Sequence, residues 1–183
     1  MHRMSARSTR PHSLGFTLIE TMIVVAVTAI GVGVALPSYH ALLERRQVDA
    51  TLHLLSTDLA LARMTAIAQR TPVSVCPSDG GTTCLPGADW NQGWLVYRNP
   101  GSAQQARDAA DILRNQRQPS TRTLRLATTI GRSQVRFLPD GRSAGSNITI
   151  TLCQKTVAKG QVIVNNVGRV RTERPGNHKA CAG

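Results

Sequence analysis

The chain has 183 residues, enough for one domain and an appendage, and 22 lysines and arginines against 10 acidic residues give it a net charge of +12. Nineteen of these cations are arginines, so the balance either indicates a polyanionic partner (nucleic acid, anionic lipid or acidic polysaccharide) or only keeps the protein dispersed. The four cysteines form no C-x-x-C pair and the five histidines show no ligand spacing, which argues against a metal site.

The N-terminus reads as an export segment. Residues 1–15 are polar and basic, and an apolar run of 21 residues with a single charge follows over 16–36. As a helix this run spans about 30 Å, the thickness of a bilayer core, and it is longer than the roughly 7–15 apolar residues of a cleaved secretory signal. We therefore predict a basic segment over 1–15 and a membrane-spanning helix over 16–37. Because the positive charges precede the helix, that end stays cytoplasmic and the remainder is exported.

Glu20 is the one charge inside the apolar run. A carboxylate at a membrane helix centre costs about 2.5–3.5 kcal/mol on insertion scales, so it needs a partner. A cut between Gly15 and Phe16 would create a cationic α-amine one helical turn away, in the same chain or in a neighbouring subunit. The alternative is an acid that reaches the membrane surface from near the helix end, and the charges alone favour neither.

The stretch "GFTLIETMIVV", followed by Pro37 and Tyr39, resembles the class III signal of type IV pilins and type II secretion pseudopilins. The resemblance implies that a prepilin peptidase cleaves between Gly15 and Phe16, that Phe16 is N-methylated, and that Glu20 serves assembly from the fifth mature position. In this resemblance, residues 1–15 correspond to a leader and 16–37 to the filament-core helix. It also implies a single-pass inner-membrane protein with a periplasmic C-terminal domain, which then joins other pilins in an extracellular pilus through its N-terminal helix.

The helical pattern continues beyond the membrane segment, and an amphipathic half is predicted over 38–70. Its apolar stripe, spaced by three and four residues, predicts one helix over 16–69 that ends before Pro72; the stripe consists of Val48, Leu52, Leu55, Leu59, Ala62 and Ala66. A β-rich domain is predicted over 71–167, with strands at 72–76, 93–98, 111–116, 123–128, 133–138, 147–153 and 160–165. The predicted fold is α+β and pilin-like, with a long N-terminal helix packed on antiparallel β-sheets.

The four cysteines are even in number and follow an export segment, which favours disulfides, and three pairings are possible. We prefer the local pairing, Cys76–Cys84 and Cys153–Cys181. The first bond would close a Gly/Pro-rich loop, and the second would fix a basic C-terminal tail to a preceding strand.

The tail, residues 168–183, is the predicted site. If 167–172 is an edge strand, Arg169 and Arg171 point to one side about 6.6 Å apart, a spacing at which each finds a phosphate on duplex DNA. Arg174 and Lys179 extend the row, and Gly168, with Gly176, would let the backbone approach a phosphate closely. The scarcity of aromatic residues and the lack of a recognition helix predict phosphate contact without sequence readout.

The C-terminal half of the sequence makes the resemblance more specific. "VRFLPDGRSAGSNITITLC" and "QVIVNNVGRVR" are similar to the FimT/GspH family of minor pilins and pseudopilins, whose G-R-x-R element falls here on Gly168, Arg169, Val170 and Arg171. In FimT-type minor pilins this element is associated with binding extracellular double-stranded DNA for natural transformation, so the resemblance implies that function. Two alternatives are a GspH-like pseudopilin of a type II secretion system and a purely structural assembly or priming subunit.

Two further patterns in the sequence indicate a function less strongly. "GRSAG" around Ser143 matches a nucleophile elbow, but it lies between two predicted strands with only His178 after it, so a hairpin turn is the better reading and no enzyme activity or cofactor is predicted. Further arginines over 107–142 are secondary candidates for DNA contact or solvated surface cations; they are Arg107, Arg114, Arg117, Arg122, Arg125, Arg132, Arg136 and Arg142.

Overall fold

The computed structural model describes residues 15–117, 124–129, 131–176 and 181, without the side chains of residues 37 and 40. The chain divides into two compact units, one that ends at Glu44 and one that begins at Arg45. A single helix, α1 (Leu18–Gln69), begins in the first unit and ends in the second, as the sequence predicted to within two residues.

The first unit is the apolar start of α1. The side-chain oxygen of Thr17 accepts a hydrogen bond from the Glu20 N–H at 3.3 Å, which satisfies one of the unpaired donors of the first turn. An exposed stretch with a mean hydropathy of 2.2 follows, long and apolar enough to cross a membrane by length and composition. Glu20 therefore lies in the first turn, where the helix dipole favours a negative charge.

The second unit packs the later part of α1 on two four-stranded antiparallel sheets. The first sheet has the order β3-β2-β1-β5 and the second the order β4-β6-β7-β8. The strands are β1 (Val73–Pro77), β2 (Gly93–Arg98), β3 (Ile112–Arg117), β4 (Leu124–Thr128), β5 (Val135–Phe137), β6 (Ile148–Gln154), β7 (Val157–Val164) and β8 (Val170–Glu173). The predicted α+β architecture, a long N-terminal helix with antiparallel β-sheets, is confirmed.

One core joins the helix to both sheets. All six residues of the predicted helical stripe are buried, and they pack with side chains from both sheets, among them Trp94, Phe137 and Ile150. Every residue of this core lies between Val48 and Val164. The unit from Arg45 onward thus contains its whole described core, so a fragment that begins at Arg45 is expected to fold by itself.

Asp58 is the one acidic residue of α1 that lies in this core, and it is fully buried. Its Oδ2 accepts a hydrogen bond from Trp94 Nε1 at 2.8 Å, and its Oδ1 lies 3.4 Å from Arg114 Nε on β3. Burial raises the pKa of the Asp58 carboxyl, because desolvation outweighs the opposite effects of the Trp94 bond and the Arg114 charge. The three side chains fix the edge strand β3 to the helix.

The cysteines are bonded as Cys76–Cys84 and Cys153–Cys181, with Cα atoms 5.6 and 6.1 Å apart. This is the local pairing that the sequence analysis prefers. The Cys181 N–H also donates to the Thr156 carbonyl at 3.0 Å, so Cys181 itself is held at the turn between β6 and β7.

The predicted edge strand over 167–172 is wrong in its start. The chain makes a turn over 165–169, here called the Gly168 turn, and β8 begins only at Val170. Gly168 has a φ of +79°, a left-handed conformation that a regular strand does not contain. The segment that the sequence suggested as a separate tail therefore begins inside the second sheet, where β8 pairs with β7.

Candidate nucleic-acid interface

The Gly168 turn fixes the backbone of Arg169. The Gly168 N–H donates to the Asn165 carbonyl at 2.9 Å, and the Asn165 N–H donates to the Arg169 carbonyl at 3.2 Å. The Asn165 side chain adds a bond, since its Oδ1 accepts the Arg169 N–H at 2.8 Å. This is a three-residue hairpin loop with glycine in the left-handed position, a common connection between antiparallel strands. It presents Arg169 to solvent, and no hydrogen bond or ion pair joins the Arg169 guanidinium to any residue in the described ranges.

Gly168 itself does not fit its predicted role. It is buried, and a Cβ at this position would fall on the carbonyl oxygen of Gly141. The space that its missing side chain leaves is therefore occupied by the protein's own backbone and is not open to a phosphate. Gly168 shapes the turn, whereas Gly176 is exposed with open space around its α-carbon.

Two of the other predicted cations are engaged with acids. Arg171 Nε lies 2.9 Å from Glu173 Oε1, two residues further along β8, and Arg174 Nη2 lies 2.6 Å from Asp49 Oδ1 on α1. These side chains are about half exposed or more, and such surface ion pairs contribute about 0–1 kcal/mol, so a phosphate can compete for either guanidinium. Lys179 lies outside the described residues.

Arg63 is the residue that sequence reasoning missed. Its Nε donates to the Gly141 carbonyl at 2.9 Å, and its Nη2 donates to the Val167 carbonyl at 3.2 Å. One guanidinium on α1 thus holds two loops that lie 78 and 104 residues further along the chain. No local sequence pattern signals such a contact.

Several of the secondary candidates also bind the protein's own backbone or its acids. Arg132 donates to the carbonyls of Ser146 and Ala144, and partial burial lowers the pKa of its guanidinium. Arg136 donates to the Asn99 carbonyl at 3.3 Å. Arg114 is the partner of Asp58. Part of the arginine excess therefore stabilises loops, and Arg122 lies outside the described residues.

Ser143, the serine of the "GRSAG" pattern, is 4% exposed and pairs with Phe137 in an isolated antiparallel bridge. Its neighbourhood is a hairpin connection after β5. An elbow nucleophile stands exposed between a strand and a helix, which is a different geometry.

Residues 51–168, well over half of the chain, match the family described as Type II transport protein GspH, and residues 10–36 match the prokaryotic N-terminal methylation motif. The chain belongs to the GspH family. Its relatives include a fimbrial protein of Moraxella nonliquefaciens, 33% identical over 94 residues, which are 49% of this chain and 58% of that protein. The match therefore spans little more than half of the relative's length.

Solved structures with this GspH-family fold include the type IV minor pilin FimU of Pseudomonas aeruginosa. It is 18% identical with a TM-score of 0.56, over 75% of this chain and 95% of that one. The minor pseudopilin EpsH of Vibrio cholerae is 14% identical with a TM-score of 0.48, over 70% and 97% of the two chains. The likeness to FimU concerns the fold. The family match and the N-terminal motif identify a type IV pilin-like minor pilin or pseudopilin.

Proposed function

We propose that this protein is a minor type IV pilin that binds extracellular double-stranded DNA without sequence specificity and supports DNA uptake in natural transformation. The observation that carries the proposal is Arg169, which is exposed at the end of a rigid turn with its guanidinium free of described partners. The turn already fixes the Arg169 backbone, so only the side chain loses conformational entropy when the guanidinium meets a phosphate. Arg171 and Arg174 supply further guanidinium groups if phosphate displaces Glu173 and Asp49.

The aromatic residues support phosphate contact over base contact. Trp90, Trp94, Tyr97 and Phe137 are all fully buried, so none of them offers a face on which a base could stack. The helix of the second unit packs its apolar stripe against both sheets. Contact with the phosphate backbone is indifferent to sequence and sensitive to salt.

The test uses the oxidised fragment that begins at Arg45 and a short fluorescent DNA duplex, with anisotropy as the readout. Wild type should bind at about 50 mM salt and weaken as salt rises. Arg169→Gln should bind less tightly. The matched control is Arg46→Gln, which removes the same charge at a point 17 residues before Arg63, about 25 Å away along the helix. If wild type ignores duplex at low salt, DNA binding is wrong, and a purely structural pilus subunit or a pseudopilin remains.

The N-terminal residues belong to the same proposal. A prepilin peptidase would cut between Gly15 and Phe16 and the new amine would be methylated, which accords with the match to the N-terminal methylation motif. Glu20 would then pair with the Phe16 amine of a neighbouring subunit. Glu20→Gln should leave cleavage intact but reduce the amount of protein in sheared pili, and equal incorporation would contradict the pairing.

The description of the matched family favours one second candidate, a minor pseudopilin of a type II secretion system. A deletion strain separates the two functions. Loss of DNA uptake with normal protein secretion supports the pilin, whereas loss of secretion with normal DNA uptake supports the pseudopilin.

A further inference from the structure

The Gly168 turn has a twin elsewhere in the fold. Residues 138–142, "LPDGR", here called the Gly141 turn, close with the same bonds as residues 165–169, "NNVGR". The Gly141 N–H donates to the Leu138 carbonyl at 2.8 Å, and the Leu138 N–H donates to the Arg142 carbonyl at 2.8 Å. Gly141 and Gly168 share a φ of +79°. An arginine follows the glycine in each turn, so Arg142 and Arg169 occupy equivalent positions.

The two turns pack directly on each other. The α-carbon of Gly168 faces the carbonyl oxygen of Gly141 so closely that no side chain fits between them. The Ser143 N–H, one residue after Arg142, donates to the Asn166 carbonyl at 3.0 Å. Arg142 and Arg169 therefore leave the backbone from adjoining points of one surface, and both are exposed.

Arg63, on α1, is hydrogen-bonded to both turns. Its two bonds, to Gly141 and Val167, reach one carbonyl in each turn from the same guanidinium. The planar fork of arginine can satisfy two such acceptors at fixed geometry, which a lysine ammonium does not reproduce. Arg63 therefore adds a side-chain bridge between two turns that already contact each other through their backbones.

We propose that Arg142 and Arg169 form one composite site for the phosphodiester backbone of duplex DNA, with Arg63 as the residue that positions them. This inference rests on the proposed function and extends it to a loop outside the G-R-x-R element. The Arg142 guanidinium, like that of Arg169, makes no hydrogen bond or ion pair to a residue in the described part of the chain. The acid on the Gly141 turn is Asp140, whose Oδ1 accepts the Arg142 N–H at 3.0 Å. Two cations against this one carboxylate leave the site net positive.

The experiment measures the salt dependence of duplex binding for the fragment that begins at Arg45. Each neutralised phosphate contributes about −0.9 to the slope of log K against log salt. Arg142→Gln and Arg169→Gln should each make that slope less steep by about 0.9. If the electrostatic contribution vanishes near 1 M salt, each substitution should weaken binding about 15-fold at 50 mM and about 4-fold at 200 mM salt. The double variant should lose about 1.8 from the slope. Arg46→Gln is again the charge-matched control.

Arg63→Lys tests the positioning role, because it keeps the charge and removes the fork. Arg63→Lys should bind duplex several-fold more weakly than wild type. The salt slope should stay the same, because the number of contacted phosphates does not change. The unfolding midpoint of the variant should show that the fold persists. Binding equal to wild type would refute the positioning role.

The failures are distinguishable. If wild type and Arg169→Gln differ but Arg142→Gln matches wild type in affinity and slope, the composite site is wrong and the proposed function stands. If the wild-type fragment itself does not bind duplex DNA, both the proposed function and the composite site are wrong.

Discussion

Replacing Gly168 by alanine tests the packing of the two turns. The residue has a φ of +79°, and a left-handed conformation costs a residue with a Cβ about 1–2 kcal/mol. The added Cβ would also meet the Gly141 carbonyl oxygen, which is backbone and cannot move away as a flexible side chain could. Overpacking of this kind costs about 1–3 kcal/mol. Together we expect Gly168→Ala to lower the free energy of unfolding by about 2–5 kcal/mol.

Urea denaturation of the oxidised fragment measures this loss. Gly176→Ala is the matched control, because Gly176 is exposed with no atom near the position of its Cβ, and it should change stability little. Gly168→Ala should also weaken duplex binding, since the turn that directs Arg169 must shift. If Gly168→Ala and Gly176→Ala are equally stable, the two turns do not approach each other closely, and the composite site lacks its structural basis.

Three further predictions concern the rest of the second unit. Because burial raises the pKa of Asp58, the folded state binds its proton more tightly than the unfolded state. This stabilising contribution is complete below about pH 4 and is lost as pH rises through the raised pKa. The free energy of unfolding of wild type, minus that of Asp58→Asn, should therefore fall over that pH window. A pH-independent difference would refute this. Cys181→Ser opens a 28-residue link and should lower the free energy of unfolding by about 3.6 kcal/mol in urea denaturation, because the unfolded chain regains loop entropy; a loss below about 1 kcal/mol would contradict this account. Arg174→Gln removes an exposed ion pair to Asp49 and should change the unfolding free energy by less than about 1 kcal/mol; a larger loss would mean that the pair is more than a surface contact.

The fold was predictable where a periodic pattern determines structure. The helical stripe from Val48 to Ala66 has a period that only a helix buries on one side, and all of it is buried. The strand around Ile150 was predictable because alternating apolar residues fit a half-buried sheet, whereas β2, around Trp94, is a continuous apolar run whose first five residues are all buried.

The start of β8 shows how alternation can mislead. "VGRVRT" alternates like a strand, yet Gly168 in the left-handed conformation breaks that alternation and moves Arg169 into a turn. The signal was present, since a glycine between two short apolar runs is typical of a three-residue hairpin loop. The pair of Arg171 with Glu173 was also readable, because residues two apart on a strand share a face.

The candidate site could be predicted only in part. Arg169 was found from a local motif, whereas the adjoining Arg142 and the clamp by Arg63 depend on contacts between loops far apart in sequence. Hydrogen bonds from a side chain to a distant carbonyl leave no trace in composition or spacing. For the same reason the net charge overstated the number of arginines available to a ligand, because Arg132 and Arg136 are bound to carbonyls.

The Arg63 clamp has a mechanical meaning. A force applied at the Gly168 turn would load β8 first, and β8 is a four-residue edge strand paired on one side only. Arg63 offers a shorter route, because its two bonds pass tension from both turns straight into the helix. A force on the Gly168 turn is thereby shared between β8 and the helix, so the four-residue strand does not carry it alone.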